Sequence, residues 1–509
     1  MIMIQNWFYY WLKRLFTRKT MHDLEKDVTN EEMKRSLNVW QLTALGIGGI
    51  IGTGIFVLSG EAAAKFAGPA VIVSFIVAGC AAGLAAMSYS EMASMVPVSG
   101  SAYTYTYATM GEFLAWIIGW DLILEYLVGA ATVAVGWSGY VCAFFKQAFG
   151  IQAKEWIVTA PVSWNETSQS FYVTGQVINL PGESATVNTI IVVIKVLVVL
   201  LFIFAACKFV DPHNYTPFFP PNKGSFNSFG VTGMLHGATV VFFAYIGFDA
   251  ITTTAQESKN PQRDLPIGII TSLVVSTILY IAVCLVLVGV VSYKDLNVPN
   301  PISVAIEATH VGKWLAIIVD LGAIAGLTSV LLVNLMGQPR IFYCMAHDGL
   351  FPLFIAQIHP RFRTPWVSTL ITGVLCAACA GVLPIDVLGE MTSIGTLLAF
   401  FLVHIGIIIM RFTHKDTPRR FRVPGGPWFI PPLGAAVCLL LMITSSKATG
   451  IRLVVWLVIG LIIYFCYGIR NSKLRRGHQS VDAPFANNNT VKKNDVVMDE
   501  FAKPSIPAS

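Results

Sequence analysis

Two ionisable residues stand where a membrane sequence should not tolerate them. Lys195 lies in "TIIVVIKVLVVLLF" and Glu125 in "GWDLILEYLVGA", each inside an apolar run long enough to cross a bilayer. A lysine at the centre of a membrane helix costs about 2.5–3.5 kcal/mol on insertion scales. Snorkelling is the plain explanation for such a residue, but Lys195 sits too deep in its run for easy escape, which favours a functional role. A lysine held away from water can give up and regain a proton, and so couple its host to a proton gradient. Glu125 can pair with a basic group on a bound molecule or take part in proton movement. A structural hydrogen bond to a neighbouring helix is the alternative, and Asp121, one turn earlier, can share either role.

A third feature is backbone rather than side chain. "GIGGIIGTGIF" (Gly46–Phe56) holds five glycines within an apolar stretch. Each costs about 1 kcal/mol against alanine in a helix interior. In hydrocarbon, an interrupted helix survives only where its freed backbone groups face protein, water or a ligand. A second candidate break lies in "FFAYIGFDAITTTAQES" (Phe242–Ser258). Paired interruptions of this kind point to the binding site of a secondary transporter. The N–H groups that follow Gly52-Thr53-Gly54, at the positive end of a half-helix, suit a carboxylate. Unwound carbonyls near Phe243, Ala244 and Ile246 suit an ammonium group, so a zwitterionic α-amino acid fits the pair. Asp249 is expected to cap the freed N–H groups of the second break. The rival reading is close helix packing through small residues; the density of glycines and the presence of a partner break favour interruption.

These groups need helices to hold them, and composition supplies them. The chain has 509 residues, 55% hydrophobic and 12% charged, against about 25% charged in a typical soluble domain. Apolar runs recur at roughly 39–60, 69–90, 111–145, 187–207, 232–256, 266–291, 313–337, 366–383, 387–411, 429–446 and 452–470, which reads as an all-α polytopic membrane protein with eleven spans. The net charge of +6 does not indicate nucleic acid, because the basic residues cluster in short loops between spans. The nine cysteines lie mostly inside spans, and Cys376 and Cys379 there read as small packing residues. The nine histidines show no metal-ligand spacing, and His236 and His404 read as structural. With no P-loop and no nucleophile–base pair, neither ATP-driven work nor an enzyme is indicated, and no cofactor or metal is expected. The first residues, "MIMIQNWFYYWLKRLFTRK", suggest an interfacial amphipathic segment and no cleavable signal peptide. The stretch from about Asn471 onward reads as a disordered tail.

The loop charges expose a conflict. Basic loops carry Lys259 and Arg263; Arg340, Arg361 and Arg363; Arg411, Lys415, Arg419, Arg420 and Arg422; and Arg470, Lys473, Arg475 and Arg476. With the N-terminus inside, these all face inside only if the chain crosses once more between about 146 and 187. That interval holds no run resembling a span. A helix lost near "INLPGES" reconciles the two.

The motifs themselves are familiar. "GIGGIIGTGIFVLSG" (46–60) resembles the first-helix signature of the APC superfamily of amino-acid permeases. "MASMVPVSGSAYTYTYATMGEFLAWIIGWDLILEYLVGAATVAVGWSGY" (92–140), "FFAYIGFDAITTTAQESKNPQRDLPIGI" (242–269) and "GQPRIFYCMAHDGLFP" (337–352) resemble the cationic amino acid transporter family, over about residues 30–470. The resemblance implies a LeuT-type fold: two inverted five-helix repeats at 39–207 and 232–411, then extra helices at 429–470, between tails at 1–38 and 471–509. It implies substrate-carboxylate contacts from Ile50, Thr53 and Gly54, and amine contacts from Phe243, Ala244 and Ile246. Lys195 resembles the ammonium that fills a sodium site of sodium-coupled relatives. In this family the fourth helix runs between the ends that "INLPGESATVNT" joins directly, so repeat one lacks a helix near 181–183. Gln256 stands where relatives usually carry glutamate. The resemblance also implies that Asn334 lines the pocket for the substrate side chain, where an amide favours polar or basic side chains because a buried unpaired amide costs about 1–3 kcal/mol. Glu91, Glu257, Arg340 and Asp348 are expected to act as inner-gate or loop-fixing charges.

The expected activity is proton-coupled import of cationic or broad neutral L-amino acids by alternating access, in a cell membrane with the N-terminus cytoplasmic. The partners are the amino acid, protons and the bilayer. The rivals are an amino-acid sensor without transport and an inactive truncated permease.

Overall fold

The computed structural model describes residues 17–19, 37–96, 100–151, 162–165, 170–173, 188–222, 224, 228–309, 311–360, 364–413 and 419–474. The amphipathic N-terminal segment and the polar C-terminal tail lie largely outside the described residues. Helix α1 (Val39–Ile50) begins at a capping box: the Asn38 side chain accepts from Gln41 N–H at 3.0 Å, and the Gln41 side chain accepts from Asn38 N–H at 3.0 Å. After an interruption, the second half of that span runs over 54–67 with two π-turns, Gly54–Leu58 and Ala63–Ala67. The chain reverses at Gly68 (φ 63°) and returns as α2 (Val71–Met95).

The remaining elements are α3 (Ser101–Thr109), α4 (Glu112–Phe149, with a π-turn at Leu124–Val128), α5 (Asn188–Ala206), α6 (Gly230–Val241), α7 (Pro261–Val290), α8 (Pro301–Ala308), α9 (Lys313–His347), α10 (Trp366–Val382), α11 (Ile385–Thr413), α12 (Ile430–Thr444) and α13 (Lys447–Asn471). With the turn at Gly68 dividing Val39–Met95 into two crossings, each of the eleven expected spans has its helix. The chain is an all-α multi-pass membrane protein. One exception is a small antiparallel hairpin of β1 (Val162–Asn165) and β2 (Ser170–Val173), with Val162 opposite Val173.

Small residues set the spacing of the inner helices. Val198 of α5 packs where a side chain on Gly322 of α9 would stand, at 2.3 Å, and Trp137 of α4 donates to Thr328 of α9 at 3.0 Å. Outer helices turn large apolar residues outward, among them Leu197, Ile278, Leu370, Ile443 and Ile462, as lipid contact requires.

Helix direction follows from the ends that meet. We call the side where Val39 begins the near face. Helix α4 starts there, with Glu112 beside Ser472, and ends at the far face, where Gln147 donates to Glu307 at 2.8 Å. Helix α5 ends at the far face too, since the Asp211 N–H that follows it donates to Gly289 at the end of α7, at 2.9 Å. Helices α4 and α5 therefore run in the same direction, so α4 ends at the far face and α5 begins at the near one. Among the described residues between them (150–151, 162–165 and 170–173) there is no helix.

Candidate functional site

Both anticipated interruptions are present. Ile51 is extended (φ −73°, ψ 100°) and ends α1; the next helical turn opens at Gly54. In the partner span, α6 passes into a short 3-10 turn (Phe242–Tyr245), Ile246 is extended (φ −64°, ψ 140°), and Gly247 takes φ +112°. The two breaks touch through backbone. A Cβ on Gly54 would fall 2.2 Å from Ala244 Cα, and one on Gly247 would fall 2.8 Å from the Gly49 carbonyl. Gly247 is required twice, by its positive φ and by this approach. Interruption and close packing thus occur together, and the same glycines permit both. The Tyr280 hydroxyl of α7 stands between the breaks, 2.7 Å from the Ile50 carbonyl and 2.8 Å from the Ala244 carbonyl.

The freed groups differ on the two sides. The first donors of the second half-helix to find carbonyls are those of Ile55 and Phe56, both bonded to Gly52 at 3.1 Å. The N–H groups of Thr53 and Gly54 form the open end before them. Thr53 is fully buried and its hydroxyl meets no partner among the described residues. On the other break, the Phe243 carbonyl accepts from Ile246 N–H at 3.2 Å, and the Ala244 carbonyl faces Tyr280. Each keeps a second lone pair, and the carbonyl of extended Ile246 stands beside them. Ile50, Phe243, Ala244 and Ile246 are all buried.

Lys195 reaches this backbone from α5. Its ammonium donates to the Gly48 carbonyl at 2.6 Å, the Ile51 carbonyl at 3.0 Å and the Ser329 hydroxyl of α9 at 2.9 Å. Ser329 in turn donates to Gly48 at 3.1 Å. Three donors meet three acceptors, which is how a buried ammonium is tolerated. The bonds fall on the last carbonyls of α1, where an uninterrupted helix would have used those groups itself.

The carboxylates form a second layer. Glu125, in the π-turn of α4, is fully buried, and neither of its oxygens has a hydrogen-bond partner among the described residues. It faces Asp249 and Asp121. Asp249 does not cap the second break as expected: its side chain makes no capping bond. It accepts instead from the Tyr126 hydroxyl and from the Ser101 hydroxyl, the latter at 3.2 Å. The buried phenol needs an acceptor, and Asp249 is within its reach. Asn334 of α9 is buried, with its amide nitrogen 3.5 Å from where a Gly129 side chain would stand, one turn from Glu125. Gln338, one turn further along α9, has both polar side-chain atoms buried without a partner among the described residues.

Charges at both faces are tied. At the near face Arg340 meets Glu257 at 2.6 Å, and fully buried Glu91 meets Arg411 at 2.5 Å and Arg419 at 3.7 Å. Burial depresses the Arg419 guanidinium pKa, and Glu91 opposes that shift. Asp348 meets Lys19 at 2.8 Å. The side chain of Gln256 lies outside the described residues. At the far face Lys65 joins Asp386 at 2.6 Å and Glu61 at 3.1 Å. His236 bonds the Thr444 carbonyl at 3.0 Å; His404 bonds Ser88 at 2.9 Å through Nδ1, and its Nε2 has no partner among the described residues.

Tyr280, Ser329, Tyr126, Ser101 and Gln338 were not singled out from the sequence. A tyrosine hydroxyl buried in an apolar run signals a distant acceptor, but no spacing names which one.

Known proteins resemble this chain in sequence along most of its length. A family profile described as amino acid permease matches residues 37–466. The chain is 44% identical to the branched-chain amino acid permease BcaP of Bacillus subtilis, over 91% of this chain and 99% of the relative. It is 40% identical to the methylthioribose transporter of the same organism, over 91% of this chain and 100% of the relative. It is 38% identical to the vacuolar cationic amino acid transporter 4 of Arabidopsis thaliana, over 78% of this chain and 66% of the relative. Two interrupted helices in contact, set in eleven apolar segments, agree with that match: the chain belongs to the amino acid permease family of the APC superfamily, a family of membrane transporters.

Proposed function

We propose that this permease carries L-amino acids by proton-coupled alternating access, with the substrate held between the two breaks. The observation that carries the reading is the unequal pair of open ends. Thr53 and Gly54 N–H groups with the Thr53 hydroxyl, which has no partner among the described residues, suit a carboxylate, and the Phe243, Ala244 and Ile246 carbonyls suit an ammonium. Ile50 lies at the end of α1 beside them. Asn334 and Glu125 border the side-chain end, which suits polar or basic side chains; the named substrates of the relatives extend the range to branched-chain ones. Lys195 acts as the proton carrier, since loss of its proton removes one of three donors that fasten α1 to α9. The two halves around 39–207 and 232–411 act as inverted repeats in a cell membrane, with the N-terminus cytoplasmic.

Proteoliposome uptake of labelled leucine, arginine and alanine, with and without an inward acid gradient, tests this. Lys195→Ala should remove the acid stimulation while leaving residual exchange; an unchanged pH profile would take Lys195 out of the coupling step. The parallel run of α4 and α5 favours a second reading, in which the absent fourth helix leaves a sensor or an inactive permease. Restoring about 20 apolar residues after Pro181, enough to span a bilayer, would then create uptake where the native chain shows binding alone or neither.

A further inference from the structure

Lys19, far upstream of α1, has a defined place on the near face. Its ammonium meets Asp348, at the end of α9, at 2.8 Å, and lies over the Tyr107 ring at 5.8 Å. Its backbone N–H donates to the Tyr107 carbonyl at 3.4 Å, and the Thr17 carbonyl accepts from Glu112 N–H, at the start of α4, at 3.0 Å. Lys19 and Asp348 side chains are only 15% and 12% exposed. This is a seated contact rather than a loose surface pair.

The elements it touches lead back to the breaks. Helix α3 carries Tyr107 at one end and Ser101 at the other. Tyr103 between them donates to the second oxygen of Asp348 at 2.8 Å, and Ser101 donates to Asp249 beside the second interruption. Ser101 takes φ +51° just after Gly100 at φ +129°. A non-glycine residue in that region is strained by about 1–3 kcal/mol and stays there only when its surroundings hold it. The C-terminal end of α13 joins the same plate: Lys473 N–H donates to the Asp348 carbonyl at 3.0 Å, and Ser472 donates to Glu112.

We propose that the Thr17–Lys19 segment is a strap that holds the near face closed. Lys19 neutralises Asp348, Asp348 orients Tyr103, and the positions of Tyr103 and Tyr107 hold α3 with Ser101 against Asp249. Opening of the near face requires that α3 move away from the second interruption, and the docked strap opposes that movement. Release of the strap makes the N-terminal segment a regulator of access from that side. The inference goes beyond the transport reading, and its test below does not depend on transport.

Hydrogen–deuterium exchange on the full-length protein in nanodiscs reads the strap directly. Lys19→Met keeps the length and loses the charge. It should raise amide exchange over α3 about tenfold, the loss of one partly buried charge-assisted bond, while α7 is unchanged. Lys19→Arg should restore protection in large part, and Asp348→Asn should resemble Lys19→Met. Raising ionic strength from about 0.1 M to about 1 M shortens the screening length from ~10 to ~3 Å. Wild-type α3 should therefore exchange faster at high salt, and the Lys19→Met variant should show little further change. Equal exchange of α3 in wild type and Lys19→Met, or an equal salt response in both, would overturn the strap. If Lys19→Met exchanges faster in α7 as well, Asp348→Asn decides: unchanged α3 protection in that variant overturns the proposal.

Discussion

Gly54→Ala is the sharpest perturbation of the contact between the breaks. The new methyl would stand 2.2 Å from Ala244 Cα, 2.3 Å from its Cβ and 2.8 Å from its N. Carbon atoms rest at about 3.5–4.0 Å, so the two segments must separate by more than 1 Å, about a third of that distance. The obstacle is backbone and cannot turn aside as a side-chain tip would. Overpacking of this kind costs about 1–3 kcal/mol, and every 1.4 kcal/mol is about tenfold in an equilibrium constant. Substrate uptake at subsaturating concentration should fall by about tenfold to a hundredfold. Gly83→Ala, whose methyl would meet only a Leu273 methyl at 3.9 Å, should transport like wild type. Adding Ala244→Gly should not rescue Gly54→Ala, because the Ala244 Cα itself is the nearer obstacle. Initial-rate uptake in proteoliposomes, normalised to monodisperse protein, measures all three. Wild-type uptake by Gly54→Ala, or full rescue by Ala244→Gly, would refute the claim that the breaks meet backbone to backbone.

Thr53→Val keeps the shape and deletes a buried hydroxyl without a partner among the described residues. The empty protein should be as stable as wild type or slightly more so, while the apparent KM for an amino acid rises about tenfold, since a hydrogen bond to a charged group contributes about 1.5–3 kcal/mol; an unchanged KM removes the hydroxyl from the site. Gly434→Ala drives a methyl to within 2.2 Å of His404 Cε1 and 2.3 Å of Nε2, while Ser88 holds the far side of the ring. Its thermal midpoint should drop by several degrees, a destabilisation of about 1–3 kcal/mol, and His404→Ala in the same chain should recover part of it.

The sequence by itself determined the class of protein, the helices and the two breaks. Long apolar runs have one stable form in a bilayer, and "GIGGIIGTGIF" and "YIGFDA" mark the weak points because glycine's deficit is local to the chain. Lys195 and Glu125 stood out for the same local reason: a charge in an apolar run is costly whatever surrounds it. Partners were not legible. Lys195 bonds residues 147, 144 and 134 positions away, and Asp249, which a local rule assigned to capping, turned to Tyr126 and Ser101. Only the tertiary structure decided these, because several acceptors satisfy a buried donor equally well and packing alone brings one of them within reach. The direction of α5 belongs to both accounts. Loop charges demanded it from a distance, and the seating of Lys195 on the carbonyls of α1, with the Asp211–Gly289 bond beyond it, set it in place.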